Sequence, residues 1–385
     1  MVRYLLIDDD TAGAADASLY ARKLSRSSGG KLEVVAVKPL VLAEMLESLR
    51  TEKPDGLLLD VALTNAQAGD GAPLGYDGIA LAQQVRTLQT RGRTRGDTGL
   101  GEFPVVRFSK EGVIHEYVNT DSTSNDLFDE MIDKSELVGE LNQSEDVARR
   151  LVSLASDYPK VTSPPEGEAA EAAVAAILGV SVDFLARLDP RSLLGLRRPD
   201  LPAHILARYF TAKLLAHPGL LMRESLLAVR LGVDITRSDD WPAVLEKIDG
   251  TRYRGVFGEG YCRWWTVQVA DWWQEVSGDE RTLQKLTTDE RVAILSEKLG
   301  LIRLVALPED RDSPGRRFWH QCVLSGRPVD PAFGFTLMAE YGFEIWQDAE
   351  YLCQEEALRG VDHPRLSPSD RNRLMLLRAR GRDGA

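Results

Sequence analysis

Four apolar runs in this chain each end in a polar residue of a type that chemistry can use. Tyr4-Leu5-Leu6-Ile7 leads into Asp8-Asp9-Asp10, and Gly56-Leu57-Leu58-Leu59 into Asp60. Pro104-Val105-Val106-Arg107-Phe108 leads into Ser109, and Met131-Ile132-Asp133 into Lys134. Read as parallel strands, these runs bring their carboxyl ends to one sheet edge, where ligands bind in open α/β sheets. An acidic pair, a third carboxylate, a hydroxyl and an ammonium would then share one pocket. A carboxylate attacks a dianionic phosphoryl group poorly, because like charges repel. A hard cation held by oxygen ligands removes that repulsion, and Mg²⁺ commonly uses one or two carboxylates with water and phosphate. Lys134 would add a positive point charge. Carboxylates crowded without a cation repel and raise one another's pKa, so the cluster predicts a metal. The product of phosphoryl transfer would be an aspartyl phosphate.

The intervening sequence supplies the elements needed to position these groups. Helical spacing of apolar residues predicts helices over 15–24, 41–49, 79–88 and 137–154. Leu32–Val37 alternates as a strand does, and Gly56–Leu59 and 104–108 are short buried-strand runs. Met131 and Ile132 mark a fifth strand, while 113–117 is left unassigned. Strands alternating with helices imply an α/β, doubly wound, five-stranded parallel sheet with right-handed crossovers.

With those residues in place, positions 1 to about 155 resemble the receiver domain of two-component response regulators. The likeness rests on Leu5-Leu6-Ile7-Asp8-Asp9-Asp10, Leu57-Leu58-Leu59-Asp60, Tyr76-Asp77-Gly78-Ile79-Ala80-Leu81-Ala82, Val105-Val106-Arg107-Phe108-Ser109 and Ile132-Asp133-Lys134. The resemblance implies Asp60 as phosphoacceptor and Asp8, Asp9 and Asp60 as ligands of Mg²⁺. It implies Ser109 and Lys134 as contacts to the phosphoryl oxygens. A sensor histidine kinase or phosphotransfer protein is the implied donor.

The chain departs from the family pattern at several points. Asp60 is followed by Val61-Ala62-Leu63-Thr64 with no proline, and Ser135 rather than proline follows Lys134. The connection from Asp60 to Gly78 is long and carries Gly69, Gly71, Pro73 and Gly75, the composition of a flap over the site. Lys110 stands where a small residue is usual, and Met131 where an aromatic switch residue is usual. Positions 87–103, with Arg91, Arg93 and Arg95 among glycines, read as an inserted loop of solvated charges. Asp10 reads as a helix N-terminal charge, and His115 as a surface residue.

A chain of 385 residues is long for one core. The expected organisation is a receiver-like domain over 1–156, a linker over 157–169 and a mostly helical output or interaction region over 170–385. Prolines and small polar residues mark the linker. Helices are expected over 170–178, 182–188, 203–216, 220–231, 241–248, 264–275, 291–299, 335–341 and 345–356, with one strand over 302–306. The net charge of −12 argues against unspecific nucleic-acid binding. Ala175-Ala176-Ile177-Leu178-Gly179-Val180-Ser181 has helix-turn-helix spacing. The segment after it offers only Arg187 with Asp183 and Asp189, so an ordinary helical hairpin is the reading. Trp265, Val269, Trp272 and Trp273 form a broad aromatic face, expected to be core. Cys262, Cys322 and Cys353 lack zinc or disulfide-framework spacing. His320, Cys322, Cys353 and Glu355 have no spacing that fixes a site. No apolar run is long enough to cross a membrane, and a cytoplasmic location is the default.

The expected function is that of a response-regulator-like signalling protein, switching its helical region through protein contacts. A receiver-regulated catalytic effector and an unphosphorylated receiver serving as an interaction module stay open as alternatives. Self-association into a homodimer is open too.

Overall fold

Strand β1 (Val2–Ile7) alternates its side chains between two buried faces, and everything in the N-terminal part is arranged around that fact. The computed structural model describes residues 1–10, 16–63, 73–95, 100–110, 122–137, 141–161, 169–197, 201–278, 281–310, 313–339, 343–360 and 364–383. After β1 come α1 (Ala17–Ser27), β2 (Leu32–Val37), α2 (Leu42–Glu52), β3 (Gly56–Leu59) and α3 (Gly78–Arg95). Then follow β4 (Val105–Ser109), β5 (Glu130–Asp133) and α4 (Leu141–Asp157). All neighbouring strands pair in parallel, in the order β2-β1-β3-β4-β5. The strand order reverses between β1 and β3, the switch point where such sheets bind ligands.

One face of the sheet packs Leu5, Ile7, Leu57, Leu59 and Val105 against Met45 and Leu49 of α2 and Leu81, Ala82 and Val85 of α3. On the other, the Tyr20 ring of α1 meets Phe108 edge-on at 5.5 Å, and the Tyr4 hydroxyl donates to the Leu151 carbonyl of α4 at 3.0 Å. Each fully buried Leu or Val removes enough apolar surface from water to contribute about 1.5–3 kcal/mol before ordering entropy is counted. The five-stranded parallel sheet is therefore the one the sequence predicts.

Helix α3 corrects one expectation. It continues to Arg95, so Arg91, Arg93 and Arg95 lie on a helix rather than in a loop that begins at 87. Long-range contacts support the extension. The Gln89 amide donates to the Gly101 and Phe103 carbonyls at 3.2 and 3.0 Å, and Arg93 to the Leu201 carbonyl at 2.7 Å. The segment 113–117, His115 and residues 64–72 of the expected flap lie outside the described residues.

The chain divides into two compact units. One is Met1–Ala216 with Arg254–Tyr261; the other is His217–Tyr253 with Cys262–Ala385. The division does not fall in the linker expected over 157–169. Helices α5 (Ala169–Leu178), α6 (Val182–Leu185) and α7 (Ala203–Arg208, continued by a π turn over Tyr209–Leu214) belong with the sheet. So does the later segment Arg254–Tyr261. It is tied there by Phe257 N–H to Asp157 Oδ2 at 2.7 Å, by Val256 N–H to the Ile177 carbonyl at 2.9 Å, and by the Tyr261 hydroxyl to Glu130. The hairpin at Gly179 leads into a helix of only four residues, too short to lie in a nucleic-acid groove as a recognition helix.

The second unit is mostly helical. After β6 (Leu221–Arg223) come α8 (Glu224–Leu231) and α9 (Trp241–Lys247); α10 (Gly258–Tyr261) lies in the first unit. Next are β7 (Arg263–Trp265), α11 (Thr266–Ser277) and α12 (Thr288–Leu299). Trp264, Val269 and Trp273 are buried in its core, with Trp272 packed against them, so the tryptophan-rich face is core. Four expected helices here are corrected. The 220–231 stretch begins as β6, and 264–275 begins as β7, because Leu221 and Met222 pair with Trp265 and Trp264. Phe335–Thr336 (β10) and Tyr351–Leu352 (β11) pair antiparallel instead of lying in helices over 335–341 and 345–356. Strand β8 (His320–Gln321) pairs with β9 (Pro328–Val329), and α13 (Gln354–Arg359) and α14 (Pro368–Asp383) follow β11. The strand expected over 302–306 is reduced to one bridge between Val233 and Ala306.

Candidate functional site

Asp8 follows β1, Asp60 follows β3, Ser109 ends β4, and Lys134 begins a single 3₁₀ turn immediately after β5. The parallel register aligns Leu59 with Ile7 and with Arg107, and Ser109 with Asp133. All four groups thereby reach the same sheet edge. They are almost fully enclosed, with Asp8 1%, Asp60 6%, Ser109 0% and Lys134 1% exposed.

The bonds among them are specific. Ser109 Oγ donates to Asp60 Oδ1 at 2.7 Å and accepts from the Val61 N–H at 2.9 Å. The Ala62 N–H donates to the same Asp60 oxygen at 3.2 Å. The Lys134 ammonium binds Asp60 Oδ2 and lies 2.8 Å from Asp8 Oδ2. It also stands over the rings of Phe108 and Tyr20, 5.7 and 6.0 Å from their centroids. Burial opposes the charge on Lys134, but Asp60 and then Asp8 more than offset it and hold its pKa above the ordinary amine value. For Asp8, burial raises the carboxyl above its ordinary value against the pull of Lys134 and the Asp10 N–H, and the Asp60 charge pushes the same way.

The metal question turns on which acids meet. Carboxylate oxygens of Asp8, Asp10 and Asp60 lie within 4.8 Å of one another. Asp9 is not in that set, although the resemblance placed it among the ligands, and Asp10, read as a helix-terminal charge, is. The Asp10 N–H donates to Asp8 Oδ1 at 2.9 Å, and this two-residue turn folds the third acid back toward the first. Asp8 Oδ2 is buried and, among the described residues, meets no donor besides the Lys134 ammonium, leaving a lone pair for another partner. Three carboxylates and the Lys134 ammonium leave a formal charge of −3 + 1 = −2 in the pocket. An all-oxygen donor set with that residual charge suits a hard divalent cation such as Mg²⁺.

Glycine at 78 is what lets α3 begin against the site. A Cβ there would sit 2.0 Å from the Asp60 carbonyl oxygen and 2.9 Å from the Val61 Cα. The Gly78 N–H donates to the Val61 carbonyl at 3.0 Å, and Asp77 Oδ1 caps the helix by accepting from the Ala80 N–H at 2.8 Å. Lys110, expected at the mouth, is exposed, and Met131 is 38% exposed on the edge strand β5.

At the opposite edge of β4 and β5 lies a buried network that sequence reading passed over. Arg86 Nη2 pairs with Asp129 Oδ2 at 2.6 Å, the Val105 N–H donates to that oxygen at 2.7 Å, and the Tyr158 hydroxyl donates to Asp129 Oδ1 at 3.2 Å. Burial raises the Asp129 carboxyl, and Arg86 works against that. This network staples α3 and α4 to the strands that carry Ser109 and Lys134. The only sequence signal for it was a charged residue directly before a strand.

No family model matches this chain, and no curated protein sequence matches it. Solved structures do match. NtrX from Brucella abortus in complex with ATP is 18% identical, over 43% of this chain and 31% of that one, with a TM-score of 0.29. A putative response regulator from Chloroflexus aurantiacus J-10-fl is 18% identical, over 40% of this chain and 98% of that one, with a TM-score of 0.25. The receiver domain of NtrX from Brucella abortus is 20% identical, over 39% of this chain and 97% of that one, with a TM-score of 0.25. The chain thus spans about a third of the first structure's length and nearly all of the other two. Its own strand order and sheet-edge site give the N-terminal part the fold of a receiver domain.

Proposed function

We propose that the chain is a response-regulator-like signalling protein in which Asp60 accepts a phosphoryl group. One observation carries this reading. Asp60 is held by Ser109 and Lys134 at the sheet edge, and Asp8 and Asp10 converge beside it. Asp8, Asp10 and Asp60 would hold Mg²⁺, which supplies charge neutralisation between carboxylate and phosphoryl group. Asp9 stays a candidate for a ligand reached through water.

The step is an in-line transfer. An Asp60 oxygen forms a bond to phosphorus as the phosphorus–nitrogen bond of a phosphohistidine donor breaks. The imidazole nitrogen leaves with the electron pair and takes up a proton. The new acyl phosphate carries three oxygens outside the Asp60 bond, and Ser109 and Lys134 are the donors placed to meet them. Ser109 then gives up Asp60 Oδ1, and its movement frees the Val61 N–H it now receives. Val61 is bonded through its carbonyl to the first residue of α3, so the change reaches a helix.

A sensor histidine kinase or phosphotransfer protein is the partner this chemistry requires, and the helical residues from 170 onward are the proposed output, acting through protein contacts. Among the described residues no helix is long and apolar enough to cross a membrane. A cytoplasmic setting is part of the proposal. The test is phosphorylation with a small acyl-phosphate or phosphoramidate donor and Mg²⁺, followed by intact mass. One added phosphate that hydroxylamine removes is expected in the wild type and absent from Asp60→Asn. Equal labelling of Asp60→Asn would assign the phosphate to another residue.

A further inference from the structure

Cys322 and Cys353 are far apart in the sequence, yet the second unit folds them together. Cys322 directly follows β8 and forms an isolated parallel bridge with Tyr351; β11 then runs from Tyr351 and Leu352 straight into Cys353. A tight turn, closed by the Gly326 N–H on the Cys322 carbonyl at 2.8 Å, brings the Ser325 hydroxyl to 3.7 Å from the Cys353 sulfur. The bridge and the turn thus bring both cysteines into one small buried cluster.

Their proximity makes the two thiols unequal. The neighbouring Cys353 thiol holds the Cys322 thiol below its ordinary pKa, with burial opposing, and the same contact pushes Cys353 up. Both are buried, 1% and 7% exposed, in a small apolar cluster with Val329, Phe335 and Leu352. A bulky thiol or disulfide has no room to reach them there, whereas hydrogen peroxide is little larger than water. Both cysteines are free thiols in this structure.

We propose that Cys322 and Cys353 form a peroxide-oxidisable dithiol, with Cys322 as the attacking sulfur and Cys353 as the resolving one. The Cys322 thiolate attacks one oxygen of hydrogen peroxide. A sulfur–oxygen bond forms, the oxygen–oxygen bond breaks, and hydroxide leaves to take up the proton Cys322 lost. The sulfur is oxidised to a sulfenic acid and the peroxide is reduced. The Cys353 sulfur then attacks the Cys322 sulfur. The sulfur–sulfur bond forms as the sulfur–oxygen bond breaks, and the hydroxyl leaves as water with the Cys353 proton. Two thiols and one peroxide become one disulfide and two waters. The link would clamp the turn after β8 to the start of α13. It involves none of the groups around Asp60, so it stands or falls separately from phosphorylation.

The experiment uses the full native chain. It is treated with a small excess of hydrogen peroxide at neutral pH, blocked with N-ethylmaleimide, digested without reductant and read by peptide mass. A Cys322–Cys353 cross-link that dithiothreitol reverses is expected. It should form roughly tenfold or more faster in the native chain than in the chain unfolded in urea, because folding supplies both proximity and thiolate character. The same product is expected in Cys262→Ser, which removes the third cysteine, partly buried and with its sulfur 3.7 Å from the Arg252 guanidinium. In Cys353→Ser, oxidation in the native state followed by removal of peroxide and transfer into urea with dimedone should mark Cys322, and in Cys322→Ser the same treatment should leave Cys353 unmarked. Oxidation confined to Cys262, dimedone on Cys353, or a cross-link no faster in the native chain would each overturn the proposal.

Discussion

Replacing Lys134 by Met tests the electrostatic reasoning most directly, because methionine keeps an unbranched stem between the Tyr20 and Phe108 rings and removes only the charge. The ammonium lies 2.8 Å from Asp8 Oδ2, with both side chains no more than 2% exposed. At an effective dielectric constant near 20, a unit-charge pair at that distance attracts by about 6 kcal/mol, most of which desolvation consumes. Removing one partner still costs about 3–5 kcal/mol, because the buried carboxylates remain without compensation. The pKa of Lys134 is raised, so its contribution is fully present below the ordinary lysine value and is lost as pH rises through the raised value. A comparison at neutral pH therefore sees the whole effect. Urea unfolding followed by circular dichroism is the assay. All seven tryptophans lie in the second unit, so tryptophan fluorescence reports that unit and should change little. The variant pocket has a formal charge of −3 in place of −2, so Mg²⁺ should stabilise it more than it stabilises the wild type. A loss under about 1 kcal/mol, or an equal response to Mg²⁺, would refute a buried charge cluster compensated by Lys134.

Two further changes probe other parts of the argument. Gly78→Ala puts a methyl group 2.0 Å from the Asp60 carbonyl oxygen, which is backbone and cannot swing away. The clash should outweigh the roughly 1 kcal/mol gained in helix propensity and cost about 1–3 kcal/mol net, with slower phosphorylation of Asp60; unchanged stability and labelling would remove the close approach from the account. Burial, with Arg230 helping and Asp348 opposing, lowers His320 to about 4. Its folded pKa is below the unfolded value, so the unfolded chain takes up a proton first as pH falls from about 6.5 toward 4. His320→Phe keeps a ring against Tyr351, now 4.5 Å away, and should spare the second unit about 2 kcal/mol of the stability lost between pH 7.5 and pH 5. Equal losses by tryptophan fluorescence in variant and wild type would show that His320 ionises normally.

The parallel sheet was legible because its strands are buried on both faces. Leu32–Val37 and Gly56–Leu59 emerge with their expected bounds, since short apolar runs ended by turn residues have few other uses in an α/β alternation. The convergence of Asp8, Asp60, Ser109 and Lys134 was legible too, because a parallel sheet collects strand ends at one edge whatever the loops do. Asp10 was not, because a hydrogen bond from its own N–H to Asp8 decides where its carboxylate points.

Sequence by itself determined the strands, their alternation with helices and hence the edge that gathers the polar groups. These are local patterns, repeated along the chain, that a sheet must obey. Tertiary structure alone decided that α3 runs on to Arg95, that residues 169–216 and 254–261 join the sheet, that Phe335 pairs with Leu352, and that Cys322 meets Cys353. Each of these rests on partners distant in the chain: a carbonyl that accepts from Arg93, an Asp157 carboxylate that receives the Phe257 N–H, a strand two residues long that exists only beside its mate. No local propensity encodes such a partner, and its contribution to stability appears only once the chain has closed around it.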